Sequence, residues 1–167
     1  MKRTDHIYAP KAAAILHGIK YATLATVTPG GLPWNSPVYA VVDEALHIYW
    51  ISDKEGQHSR NVRHNGEVFI VVYDSTVPEG QGEGVYIQAK VRELSDPEEI
   101  RRVRMLKKGD IGESPSLFQD NGVRRIYEAS LLHIWMNADE VEDGVFIRDY
   151  RIELAIDALQ DAFRRLG

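Results

Sequence analysis

Residues 21–42, YATLATVTPGGLPWNSPVYAVV, decide the fold. Tyr21 to Thr28 alternates Ala and Thr with Leu and Val, the period of a strand with one buried face. Pro29-Gly30-Gly31 supplies turn chemistry, and a second run begins near Trp34 and reaches Val42. Two such runs around a glycine turn predict a hairpin. Asp43-Glu44 then connects to a third run, Ala45 to Ser52, in which His47, Tyr49 and Ile51 share one face and Leu46, Ile48 and Trp50 the other. Three sequential antiparallel strands are expected.

Working outward, the chain alternates between strand and helix signals. Upstream, Pro10 to His17 reads as a short helix, with Pro10 in the first position and Gly18 as the stop. Downstream, Gln57 to Asn65 reads as a short helix after Gly56, and Val68 to Tyr73 as a strand buried on both faces, because it is apolar throughout. A glycine-bearing loop leads to a strand over Val85 to Leu94. Asp96 as N-cap, Pro97 in the first helical position, Glu99 as capping-box partner and Lys107, Lys108 and Gly109 at the far end predict a well-bounded helix. Strands are expected over Arg125 to Met136 and Asp149 to Ile156, and Asp157 with Gln160 repeats the capping-box spacing before a terminal helix. About six strands with peripheral helices predict one α+β domain over residues 1–167, mainly β and built on an antiparallel barrel.

Composition narrows function by exclusion. The chain has 167 residues, no cysteine, and 25 acidic against 20 basic side chains for a net charge of -5. Disulfides, thiol catalysis and cysteine-ligated metal clusters are excluded. The longest apolar run, Val68 to Tyr73, is six residues, whereas a membrane span needs about 20. Lys2, Arg3, Thr4, Asp5 and His6 do not resemble a signal peptide, so a soluble, cytoplasmic protein is expected. Net acidity argues against a nucleic-acid partner but leaves room for a small anion on a local basic patch.

No HExxH, P-loop, GxSxG or helix-opening GxGxxG pattern occurs. The histidines, His6, His17, His47, His58, His64 and His133, fall at no standard zinc spacing, so no metal site is expected. Gly80, Gly82 and Gly84 lack the lysine of a phosphate loop and read as a flexible connection. Arg101, Arg102, Arg104, Lys107 and Lys108 sit toward a helix C-terminus, where the macrodipole favours cations, and read as a solvated helix face. The segment Gly56 to His64, GQHSRNVRH, is different. It opens a helix directly after a strand and gathers imidazole, hydroxyl, guanidinium and amide donors, a combination suited to phosphate. The alternative is a polar surface helix that binds nothing.

With these pieces in order, the chain resembles the pyridoxamine 5'-phosphate oxidase-like FMN-binding split-barrel proteins. The resemblance is carried by residues 21–42, IYWIS at 48–52, HSRNVRHNGEVFIVVYDST at 58–76, GVYIQAKVREL at 84–94, and HIWMN and DYRIEL nearer the C-terminus. It implies a split β-barrel with FMN at a homodimer interface. The family's second strand, here Asn35, Ser36, Pro37, Val38 and Tyr39, runs along the flavin, and the third-strand end, Trp50, Ile51 and Ser52, approaches the phosphate. Gln57, His58, Ser59, Arg60 and Asn61 correspond to the phosphate-binding turn, with His58 where many relatives carry lysine. Trp135 and Arg151 resemble residues that reach the partner's cofactor. The substrate-phosphate constellation of the vitamin B6 enzyme is missing, so that activity is not expected. The resemblance implies an FMN oxidoreductase acting on a small molecule, with NADH or NADPH as a donor and no side chain singled out as acid or base. Deazaflavin F420 in place of FMN, or a non-catalytic flavin- or haem-binding module, are the alternatives.

Overall fold

The computed structural model describes residues 4–108 and 114–167. Helix α1 (Asp5–Gly18) leads into β1 (Tyr21–Val27), β2 (Pro33–Val42) and β3 (Ile48–Asp53). Helix α2 (Gln57–Asn65) connects to β4 (Glu67–Tyr73) and β5 (Gly84–Glu93). Helix α3 (Pro97–Lys108) and a 3-10 turn at Pro115–Phe118 precede β6 (Arg124–Glu142), β7 (Val145–Glu153) and α4 (Ile156–Arg164). All strand pairs are antiparallel, in the order β3-β2-β1-β4-β5-β6-β7, and β3 also pairs with β6. That last pairing closes six strands into a barrel and leaves β7 as an extra strand on β6. The fold is a split barrel of the α+β class.

The expected hairpin forms with Tyr21 opposite Tyr39 and Val27 opposite Pro33. Gly31, at φ +82°, supplies the left-handed residue its turn requires. Alternate residues of the strands fill the barrel: Leu24, Val38, Trp50, Ile70, Ile87 and Ile134 are all buried in one apolar cluster. Helices α1 and α4 add Ala12, Ala13, Leu16, Leu159 and Phe163 to the same cluster. No helix among the described residues is long and apolar enough to cross a membrane.

Several local expectations are corrected by tertiary context. Helix α1 starts at Asp5, so Pro10 lies inside it; the preceding turn is held by Tyr8 N–H donating to Thr4 O and by buried Asp5, whose carboxylate accepts from Ala155 N–H. β3 starts at Ile48 rather than Ala45, because the Asp43 carboxylate accepts from Ala45 and His47 N–H and forms a turn in which Leu46 takes φ 65°. Strand β4 is buried on one face only: Val68, Ile70 and Val72 point inward, while Phe69 is 38% and Tyr73 49% exposed. Strand β6 continues to Glu142, six residues beyond Met136, and β7 begins at Val145 and ends at Glu153 rather than spanning 149–156. Asp96 caps α3 by accepting from Glu98 N–H at 2.7 Å, but Glu99 turns to Arg92 instead of closing the box. In α4 the N-cap is Ala155 with no side-chain cap; Asp157 is already helical, and Gln160 donates to Glu44 O. The expected Gly109 stop lies outside the described residues.

The largest correction concerns α3. Closure of the barrel leaves Tyr49 and Ile126 facing outward, and α3 covers them with Ile100 and Val103 in a second apolar cluster with Leu94 and Phe118. Two of its cations, Arg104 and Lys107, are therefore drawn onto the barrel, while Arg101 and Arg102 keep the exposure expected of them. Arg104 is 7% exposed and lies 5.1 Å from the Phe118 ring centroid. Lys107 donates to Tyr39 O at 2.7 Å and sits 4.3 Å from the Tyr39 ring centroid.

Candidate functional site

The docking of α3 creates a cleft on the outer face of β2 and β3. Its lining consists of Tyr21, Tyr39, Ile51, Ser52, Asp53, Arg104, Lys107, Val123 and Arg124, around a cavity of about 460 Å³. Two strands present the aromatic wall: Tyr21 and Tyr39 are cross-strand partners, with rings 5.6 Å apart in an edge-on arrangement. Helix α3 supplies Arg104 and Lys107, the loop before β6 supplies Val123, and β6 opens with Arg124. With Asp53 as the one acid among these lining residues, the cleft is positive. Tyr49, on the same strand as Ile51, is held beside it by hydrogen bonds to the Asp43 carboxylate and from Arg102, both at 2.9 Å. Burial pushes the Tyr49 phenol well above its ordinary range, so it stays a neutral hydrogen-bonding strut.

The first turn of α2 is tied to Asp53, one of the residues that line this cleft. Ser59 Oγ donates to Asp53 O at 2.7 Å, and Gly56 N–H donates to the same carbonyl at 3.1 Å. Gly56 is tightly placed, since a Cβ there would lie 3.2 Å from Asp53 O. The residues of α2 expected at a phosphate have diverse surroundings. Ser59 and Asn61 are buried, and Asn61 donates to Thr26 Oγ1 at 2.9 Å while accepting from Gln57 at 2.8 Å. Arg60 is exposed and folds over the turn, bonding Glu55 O and, at 2.8 Å, Gln57 Oε1. Burial lowers the His58 pKa below its ordinary value, so this imidazole is neutral at pH 7.

The structure thus brings together Tyr39, Ile51 and Ser52 from the residues expected at the cofactor, with Asn35 and Pro37 on the same outward face of β2. Val38 and Trp50 face the barrel interior; Trp50 is fully buried and stacks on Tyr127 at 5.5 Å. Ser36 accepts a hydrogen bond from Trp34 Nε1 at 3.1 Å. Trp135 and Arg151 lie on β6 and β7 away from the lining of the cleft: Trp135 stacks between Phe69 and His133, and Arg151 caps the Tyr86 ring at 4.0 Å. Tyr21, Asp53, Arg104, Lys107 and Arg124 were not expected at a site. For Tyr21 the hairpin pairing with Tyr39 was an available signal; for the others nothing local tied them to it. Among the described residues no group of three or more His, Asp or Glu is placed to hold a metal ion.

A family model described as pyridoxamine 5'-phosphate oxidase matches residues 8–135. No curated protein matches the chain by sequence. Among solved structures, a heme binding protein from Mycobacterium smegmatis is similar at 15% identity and a TM-score of 0.64, over 92% of this chain and 60% of that one. HutZ, the heme storage protein from Vibrio cholerae, is similar at 17% identity and a TM-score of 0.60, over 73% of this chain and 88% of its own. An F420 reductase is similar at 22% identity and a TM-score of 0.53, over 72% and 93% of the two chains. These likenesses establish a shared barrel. The family match runs over most of the chain's length, and the chain belongs to the pyridoxamine 5'-phosphate oxidase-like family.

Proposed function

We propose that the protein is a homodimeric, cytoplasmic oxidoreductase that holds FMN non-covalently in the cleft beside β2, β3 and α3. The observation that carries this reading is the convergence of Tyr21, Tyr39, Ser52, Lys107 and Arg124 on one cavity of about 460 Å³, within the roughly 300–1,000 Å³ usual for ligand pockets. Aromatic faces suit a planar heterocycle, and two cations beside a hydroxyl suit a phosphate monoester. The first turn of α2 is tied to Asp53 of this lining through Ser59, and the N–H groups of a helix start suit a phosphate. Trp135 and Arg151 of a second protomer would complete the cofactor's surroundings. When bound, FMN supplies the electron and hydride chemistry. The chain's own residues bind the phosphate, orient the ring along Asn35, Pro37 and Tyr39, and exclude water. A small-molecule substrate and NADH or NADPH complete the reaction.

Fluorescence titration with FMN tests this reading. Arg124→Ala should weaken binding by about 1.5–3 kcal/mol, roughly tenfold to a hundredfold, the size of a charge-assisted hydrogen bond. Arg60→Ala, run in parallel, would carry the larger loss if the phosphate instead lay on the exposed side of α2. A colourless protein that binds no added FMN refutes the proposal, as does a strong preference for F420. Bound flavin that NADH and NADPH never reduce leaves a binding module.

One observation favours a second reading, a haem-binding module. His133 is exposed, stacked 5.6 Å from Trp135, and has Nδ1 paired with Glu153 at 2.8 Å, the carboxylate-paired arrangement of many metal-ligating imidazoles. A Soret band that forms with added haem and is lost in His133→Ala would select it.

A further inference from the structure

Beyond the barrel, β6 and β7 continue as a two-stranded arm. Their last paired residues are Glu142 and Val145, joined through Asp143 and Gly144 at φ 51° and 79°, the left-handed pair of a tight two-residue hairpin turn. The arm is well formed, yet its tip is apolar and uncovered: Val141 is 56%, Val145 62%, Phe146 60% and Ile147 50% exposed. An isolated two-stranded ribbon is marginal in water, and apolar residues in this density mark a contact surface.

A groove of matching character lies at the opposite end of β6. Leu117, Phe118, Asn121, Gly122, Val123 and Arg124 line about 440 Å³, with Leu117 51% and Val123 64% exposed. The chain cannot fill its own groove with its own tip. Arg124 and Glu142 are the two ends of one 19-residue strand, a contour of roughly 60 Å at about 3.3 Å per residue. Charge is complementary as well. Residues 137–151 carry Asp139, Glu140, Glu142, Asp143 and Asp149 against Arg148 and Arg151, a net of -3. Asp139 stands directly opposite Asp149, a like-charge pair that is unfavourable unless a cation approaches. The groove ends at Arg124, and the adjoining cleft adds Arg104 and Lys107 against Asp53.

We infer that the β6–β7 arm is a strap between two copies of this chain, each seating its Val145–Phe146 tip in the Leu117–Val123 groove of the other. A two-fold axis makes both contacts at once, because a contact of one tip with the other copy's groove is repeated reciprocally. The inference rests on the homodimer of the proposed function and adds the segment that ties it.

The cysteine-free chain allows a direct test. Phe146→Cys combined with Leu117→Cys should give a covalent dimer on mild oxidation, resolved on a non-reducing gel, and neither single variant should give the same yield. In sedimentation equilibrium, Phe146→Asp and Leu117→Asp should each raise the dimer dissociation constant at least tenfold; far-UV circular dichroism confirms folding. A wild-type chain that is monomeric at about 100 µM overturns the strap together with the dimeric flavin site. A wild-type dimer that neither variant weakens, and that gives no cross-link, overturns the strap alone.

Discussion

Arg125 is the clearest test of how the cleft wall is held. The side chain is 10% exposed. It donates to the Glu93 carboxylate at 2.7 Å, to Asp120 O at 2.7 Å, and to Gly122 O and Arg124 O at 2.8 Å. One guanidinium thus ties β5 to the loop that carries Val123 and Arg124 into the cleft. Arg125→Met keeps most of the apolar stem and removes every one of these bonds. Breaking a buried ion pair by deleting one partner costs about 3–5 kcal/mol. The lower end applies here, because Glu93 is 32% exposed and has Arg63 at 3.9 Å as an alternative partner, and the freed carbonyls lie on a loop that water can reach. A loss of about 3 kcal/mol should lower Tm by roughly 6–12 °C in a chain of this size. Urea unfolding at fixed protein concentration, with Cm and m fitted together, measures it. Arg125→Lys, which keeps the charge on Glu93 but not the fork, should fall between wild type and Arg125→Met. A loss below about 1 kcal/mol with unchanged m would refute the assignment of Arg125 as the tie.

Two more expectations follow from local geometry. A Cβ at Gly122 would lie 2.3 Å from Leu117 O and 2.7 Å from Leu117 C, so Gly122→Ala forces the backbone apart and should cost about 1–3 kcal/mol; an unchanged urea midpoint would contradict the close approach. Burial lowers the His58 pKa below 6.5 in the folded chain. The unfolded state therefore binds more protons between those two values, so stability from this group is complete above about pH 6.5 and falls as pH drops toward the folded pKa. The slope of unfolding free energy just below about pH 6.5 should flatten in His58→Gln, and an identical slope in both proteins would remove His58 as its source.

The same lowered pKa revises an expectation at the candidate site. A histidine in place of the family's lysine suggests phosphate binding that weakens as pH rises through the imidazole pKa. With the imidazole already neutral at pH 7, any such dependence belongs to more acidic solutions. The constant positive charge near the cleft is carried instead by lysine and arginine side chains from α3 and β6.

Local chemistry determined what is short-range in this protein. Alternation in residues 21–42, a glycine that takes φ +82°, and an aspartate accepting two N–H groups at the start of α3 act within a few residues, so the hairpin and the α3 start were legible without a fold. The ordered matches along the chain carried the family, and with it the outward face of β2 and the end of β3. Tertiary structure alone decided the rest. Pairing of β3 with β6 joins residues such as Trp50 and Tyr127, far apart in the chain. That closure turns Trp50 into the core and leaves Tyr49 outside for α3 to cover. Once α3 docks, Arg104 and Lys107 cease to belong to a solvated face and become part of the wall of a cleft. No periodicity records this, because the burial of a face depends on which distant segment arrives to cover it.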